Sequence, residues 1–109
     1  MQKTPAIVMV GSSMVDLITH VPRLATVGKT LVGSDFKTGF GGKGSNQAVM
    51  AARLGARVSV NFKLGRDVFG DQTFQNYKDQ NIDTTFVTFD DELPSGVAPI
   101  TVNENTGQN

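Results

Sequence analysis

The chain has 109 residues, with ten Lys and Arg balanced by ten Asp and Glu, no cysteine and a single histidine, His20. This is one domain at most, and its neutral balance offers no global field to draw nucleic acid or anionic lipid. The absence of cysteine excludes a disulfide scaffold and thiolate chemistry and fits a reducing compartment, and one histidine without clustered carboxylates makes no zinc site.

In chain order, Ala6–Val10 is a continuous β-branched run closed by Gly11-Ser12-Ser13, the pattern of a strand buried on both faces of a parallel sheet. It is also the longest apolar run and far too short to cross a bilayer. With no basic segment leading a long apolar core, a signal peptide is not expected, and a cytoplasmic protein without membrane or nucleic-acid partners is. Val15–Val21 alternates, setting Val15, Leu17, Thr19 and Val21 against Asp16, Ile18 and His20, until Pro22 ends it. A second alternating strand is predicted over 31–40.

Gly41-Gly42-Lys43-Gly44-Ser45-Asn46-Gln47-Ala48 then runs into Val49–Leu54, where Ala48, Val49, Ala51, Ala52 and Leu54 have helical spacing and Gly55 supplies the stop. Arg57–Leu64 reads as another strand, Asp67–Gln80 as a second helix, and Thr84–Phe89 and Val97–Val102 as two further strands. Pro99 cannot donate to a ladder, which puts the last strand at an edge or a bulge. Two strand styles are interleaved. Ala6–Val10 and Arg57–Leu64 belong to a helix-covered sheet, and the others to a smaller sheet with one wet face, so an α/β domain with a β-sheet lid is predicted.

The glycine loop is the most informative segment. Adjacent glycines let the backbone adopt positive φ and approach a ligand closely, and the following helix turns unpaired N–H groups toward the loop. Lys43 stands where the helix macrodipole disfavours a cation, so either an anionic or polyhydroxylated ligand meets it, or it is a solvated lysine beside a glycine hinge. Gly39-Phe40-Gly41-Gly42-Lys43-Gly44 satisfies the dinucleotide pattern G-x-G-x-x-G, but the strand before it alternates and the next strand carries no terminal acid, so that match fails in context. Gly28-Lys29-Thr30 lacks the leading glycine of a P-loop. Asp16 follows a buried strand at a turn, where open α/β sheets place ligands, and its carboxylate suits two sugar hydroxyls; an Asx turn or cap is the alternative role. His20, Lys37, Arg53, Asp67 and Asp71 read as solvated or capping residues, and Phe69, Phe74 and Tyr77 as core.

Taken together, Gly41 to Ala48, then Gly55 and Gly65, with Gly11-Ser12, Asp16 and Ser95-Gly96-Val97-Ala98, resemble the ribokinase-like (PfkB) carbohydrate kinases over essentially the whole chain. Within that family the ribokinase and deoxyribokinase branches are most similar. The resemblance implies an α/β sandwich with a β-sheet lid, strands near 15–21, 31–40, 84–89 and 96–102 forming the lid, and residues 1–109 as the N-terminal portion of a larger kinase. It implies ATP-dependent phosphorylation of a pentose, ribose or 2-deoxyribose, with Mg²⁺, and a homodimer formed through the lids. Met14, Asp16, Gly41, Gly42, Lys43 and Asn46 would hold the sugar, and Ala98 and Ile100 would pack on its ring.

Three departures follow from the same resemblance. Met14 stands where ribokinases commonly carry Asn, which points to 2-deoxyribose preference or relaxed choice. Lys29 replaces the glutamate of the family's Gly-Glu-Thr turn, without a physical account. The Gly-Ala-Gly-Asp segment that gives the catalytic base, and the nucleotide-binding part around it, are absent from these residues. The chain alone is therefore expected to be inactive, with a truncated sugar-binding or dimerisation module as the alternative reading.

Overall fold

A computed structural model describes residues 3–109. Its elements are β1 (Ala6–Val10), β2 (Met14–Val21), β3 (Asp35–Gly41), α1 (Lys43–Arg53), β4 (Arg57–Asn61), β5 (Lys63–Gly65), α2 (Val68–Asp79), β6 (Thr88–Asp90) and β7 (Val97–Asn103). The molecule is elongated, 58 × 36 × 19 Å, with a radius of gyration of 16.9 Å, against about 13 Å for a spherical domain of this length. The architecture accounts for this, because the strands divide into a helix-backed layer and a separate sheet.

In the helix-backed layer β1 pairs in parallel with β4, Ala6 opposite Arg57 through Val10 opposite Asn61, and β5 pairs in parallel with β6. Val58, Val60, Phe62, Ala48, Tyr77 and Ile82 form the core, with Ile7, Met9 and Val49 packed against it. Phe62 and Tyr77 meet edge to face, with ring centroids 5.8 Å apart, an arrangement worth about 0.5–1.5 kcal/mol beyond burial. The second sheet has the order β3-β2-β7, with β2 antiparallel to β3 and parallel to β7. Val15 and Val21 are buried beneath it. Pro99 lies on β7, an edge of this sheet, where its missing N–H costs no ladder bond.

Each helix has a clear local cause. Small residues with helical spacing let α1 pack closely through Ser45 and Ala48, and Gly55 (φ 99°) turns the chain out at its end. Asp67 caps α2, its side chain accepting from the Gly70 N–H at 2.8 Å. Among the described residues no helix is long and apolar enough to cross a membrane.

Several boundaries differ from expectation. The strand expected over 31–40 begins at Asp35, because β2 ends at Val21 and the last link across to residues 31–34 is the Ser34 N–H on His20 O at 2.8 Å. The segment 84–89 is no lid strand. Asp83 accepts from both the N–H and the hydroxyl of Thr85, at 2.9 and 2.6 Å, and the Val87 N–H closes a turn on Thr84 O. Only Thr88–Asp90 is extended, and it pairs with β5.

Arg57–Leu64 is interrupted at Phe62, because β4 faces β1 on one side while β5 faces β6 on the other. Nor is β1 buried on both faces. Ile7 and Met9 turn toward the core, but Val8 and Val10 are 64% and 72% exposed, because both helices lie on the opposite side. By contrast, α1 starts at Lys43, directly after the glycine pair, as expected.

Candidate functional site

The chain passes between the two layers at three places. Gly11–Ser13 leads from β1 to β2, Gly42 leads from β3 to α1, and residues 91–96 lead from β6 to β7. Of the residues expected to hold a sugar, Met14, Asp16, Gly41, Gly42, Lys43 and Ala98 lie at or beside these crossings.

Asp16, half-buried on β2, has Gly39 of β3 and Ala98 of β7 as its cross-strand partners. Partners across a ladder share a face, so Met14, Asp16, Ile18, Ala98 and Ile100 lie on one side of the sheet, with Met14 opposite Gly41. The carboxylate rests on the Gly41 backbone, where an added Cβ would stand 2.7 Å from Oδ1 and 3.0 Å from Cγ and Oδ2. Gly42 is held at φ 97°, and a Cβ there would lie 2.6 Å from the Ser12 carbonyl oxygen. Gly42 therefore requires glycine for its left-handed backbone and its contact with Ser12, while Gly41 leaves the room that the Asp16 carboxylate occupies.

Gly42 is also the N-cap of α1, and no side chain caps that end and no acid occupies its first turn. An uncapped N-terminus favours a ligand rich in acceptors. Lys43 is exposed there, and among the described residues it makes no ion pair. The result is an open shelf of a carboxylate acceptor, an ammonium donor and backbone N–H groups, flanked by the apolar Met14 and Ala98. That set suits a polyhydroxylated ligand with an apolar face.

Two expected residues stand apart. Asn46, one turn into α1, lines a cavity of about 350 Å³ with Phe40, Ser45, Val49, Met50, Arg53 and Asn76, and Asp16 does not line it. Phe40 is the cross-strand partner of Val15 and so lies on the sheet face opposite Asp16. Ile100 pairs with Ile18 and lies further along the sheet than Ala98.

Sequence reasoning missed how the shelf is secured. Tyr77, 0% exposed, donates from its hydroxyl to Ser45 Oγ at 2.9 Å, joining α2 to the first turn of α1. Burial raises the Tyr77 pKa, and the hydroxyls of Ser13 and Ser45 oppose that rise. Ser13 Oγ is nevertheless buried without a hydrogen-bond partner.

The second missed feature is at Asp67, which accepts through Oδ2 from the Ser95 N–H at 2.8 Å in addition to capping α2. These bonds, that from Ser95 first, lower the Asp67 pKa. The sequence signal was the flanking pair Gly65 and Gly70, both buried and without space for a side chain. Further along the same β2–β3 ladder, His20 and Lys37 approach Asp35 at 3.7 and 3.5 Å, an association the sequence did not show.

Residues 4–109 match the sequence profile of the pfkB family carbohydrate kinase. The chain belongs to this family. It is 44% identical to a ribokinase of Mus musculus over 108 residues, 99% of this chain and 33% of that one. It is 47% identical to a deoxyribokinase of Salmonella typhi over 100 residues, 92% of this chain and 33% of that one. Among solved structures, a ribokinase of Arabidopsis thaliana complexed with ribose and ATP superposes with a TM-score of 0.88 at 29% identity, covering 99% of this chain and 35% of that one. The α/β fold is thus that of ribokinase structures, and the chain spans about a third of the length of the relatives it matches. As for the metal of a pfkB kinase, no group of three or more His, Cys, Asp or Glu side chains among the described residues could hold one.

Proposed function

We propose that this chain supplies the sugar-binding half and the lid strands of an ATP-dependent pentose kinase. The observation that carries the reading is the Asp16 carboxylate seated against Gly41, beside the uncapped N-terminus that Gly42 opens. Support comes from the similar fold of the Arabidopsis thaliana ribokinase, which is complexed with ribose and ATP. Asp16 accepts from two sugar hydroxyls, Lys43 and the backbone N–H groups of Gly42 and the first turn donate to others, and Ala98 and Ile100 cover the ring. Asn46 adds an amide from the first turn of α1.

These residues bind and orient; holding the reacting hydroxyl in place is a large share of what phosphoryl transfer requires. Among the described residues no group of three or more His, Cys, Asp or Glu side chains is placed to hold a metal ion. Residues 1–109 form the N-terminal portion of the kinase, and the free edge of β3, with Phe36 62% exposed, is the surface through which two lids pair. Sedimentation of the full-length protein, with Phe36→Asp expected to give monomers, tests that pairing.

The sugar is 2-deoxyribose by preference, or either pentose. Met14 lies two residues from Asp16 on the same face and offers a thioether where an amide would bind another hydroxyl. The test is the ratio of kcat/KM on ribose and on 2-deoxyribose for the full-length protein and for Met14→Asn. The substitution is expected to move the ratio toward ribose by about tenfold, the worth of one added hydrogen bond. An unchanged ratio removes Met14 from the specificity argument, and no turnover of either sugar by the full-length protein refutes the kinase reading.

A further inference from the structure

The third crossing differs from the other two in being pinned to the helix-backed layer by a side chain. Asp67 uses its two oxygens on two different elements: Oδ1 accepts from the Gly70 N–H of α2 at 2.8 Å, and Oδ2 from the Ser95 N–H at 2.8 Å. Ser95 completes the link, its hydroxyl oxygen accepting from the Gly65 N–H at 2.9 Å. No slack remains around it. A Cβ on Gly65 would collide with the Ser95 backbone nitrogen, and one on Gly70 would collide with the Gly65 carbonyl oxygen.

What Ser95 carries is the start of β7. The Gly96 carbonyl oxygen accepts from the Val15 N–H at 3.1 Å, and a Cβ on Gly96 would lie 3.5 Å from the Met14 Cβ. Val97 then pairs with Val15 and Ala98 with Asp16. An unbroken series of contacts therefore runs from the cap of α2 through Ser95 and Gly96 to Met14, Asp16 and Ala98.

The geometry points to Asp67 as a positioning residue for the sugar, setting through Ser95 where the Met14–Asp16 and Ala98 segments stand relative to the helix-backed layer. This rests on the pentose-kinase reading given above. Those segments grip the sugar alike before and during transfer, so a shift in their position is felt in KM for the sugar and little in kcat.

Asp67→Ser separates this role from helix capping. Serine caps a helix as well as aspartate does, but its single oxygen serves Gly70 and has no second acceptor for Ser95. In the full-length kinase we expect Asp67→Ser to raise KM for the pentose about tenfold, with kcat and KM for ATP within about twofold of wild type. Ser95→Ala keeps the backbone N–H on Asp67 and loses the two hydroxyl bonds with the Gly65 N–H and carbonyl oxygen, so a rise of about threefold is expected, with a thermal melt identifying the folded protein.

Wild-type turnover of ribose or 2-deoxyribose is measured alongside. If wild type turns over a pentose and either folded variant leaves its KM unchanged, the positioning role is overturned even where the melting temperature has dropped. If wild type turns over neither sugar, the kinase reading itself has failed.

Discussion

Gly41→Ala in the full-length kinase tests the site at its tightest point. The new methyl carbon would stand 2.7 Å from Asp16 Oδ1 and 3.0 Å from the other two carboxyl atoms. Ordinary contact begins at 3.4 Å, so the carboxylate must withdraw by about 0.7 Å, a displacement that forfeits a well-made hydrogen bond. The obstructing atoms are the end of a side chain that can rotate, and Gly41 is not among the positive-φ residues, so the fold is expected to lose no more than about 1 kcal/mol.

The sugar loses more. A hydrogen bond to a charged group contributes about 1.5–3 kcal/mol, so one such bond lost weakens pentose binding by about 10- to 150-fold. Calorimetric titration of ribose and of 2-deoxyribose, with a thermal melt of the same samples, measures both quantities. The neighbouring Gly42→Ala supplies the contrast. Its methyl meets the Ser12 carbonyl oxygen at 2.6 Å with φ at 97°, and the backbone cannot turn aside, so about 1–3 kcal/mol of stability is lost. Sugar affinity within twofold of wild type in a folded Gly41→Ala protein would refute the placement of Asp16 at the sugar.

Two further predictions concern the layer beneath. Tyr77→Phe leaves the buried Ser45 hydroxyl without its donor and is expected to cost about 1–2 kcal/mol, read by denaturant unfolding of the full-length kinase. Asp90 is held down to about 2 by the N–H groups of Leu93 and Glu92 and by the Lys63 ammonium. A carboxyl depressed in the folded state stabilises it above its unfolded pKa, so that contribution is lost as the pH falls from 3.8 toward about 2. Asp90→Asn is expected to flatten this limb of a melting-temperature profile, and an identical limb in both proteins would contradict the assignment.

Punctuation was the legible part of the sequence. Gly41-Gly42, Gly55, Asp67 and Pro99 each impose a backbone conformation or a hydrogen-bonding role that acts locally, and each stands where its chemistry requires. Runs of β-branched residues were less reliable. Thr84-Thr85-Phe86-Val87 has strand composition, yet the Asp83 carboxylate takes two Thr85 donors and folds the run into a turn. The apolarity of Val8 and Val10 marks a face that can be covered without saying that these residues cover it. Within the site, Gly41 and Asp16 meet through the register of β2 on β3, a pairing that the alternation within each strand did not by itself give. The Asp67–Ser95 bond, by contrast, joins residues 28 positions apart with no shared periodicity. Asn46 was placed by resemblance alone, and it lines a cavity that Asp16 does not.

The parallel pairing of β2 with β7 also dictates an order of assembly. β2 can zip to β3 early, since the two are near neighbours in the chain, but its other edge waits for Val97–Asn103, after both helices have been laid down. Closing so long a loop is slow, and until it closes the Asp16 strand is an open edge available to any other extended segment. Ala98 joins Asp16 only when that loop closes, so the grip on a ligand depends on a pairing between segments far apart in the chain.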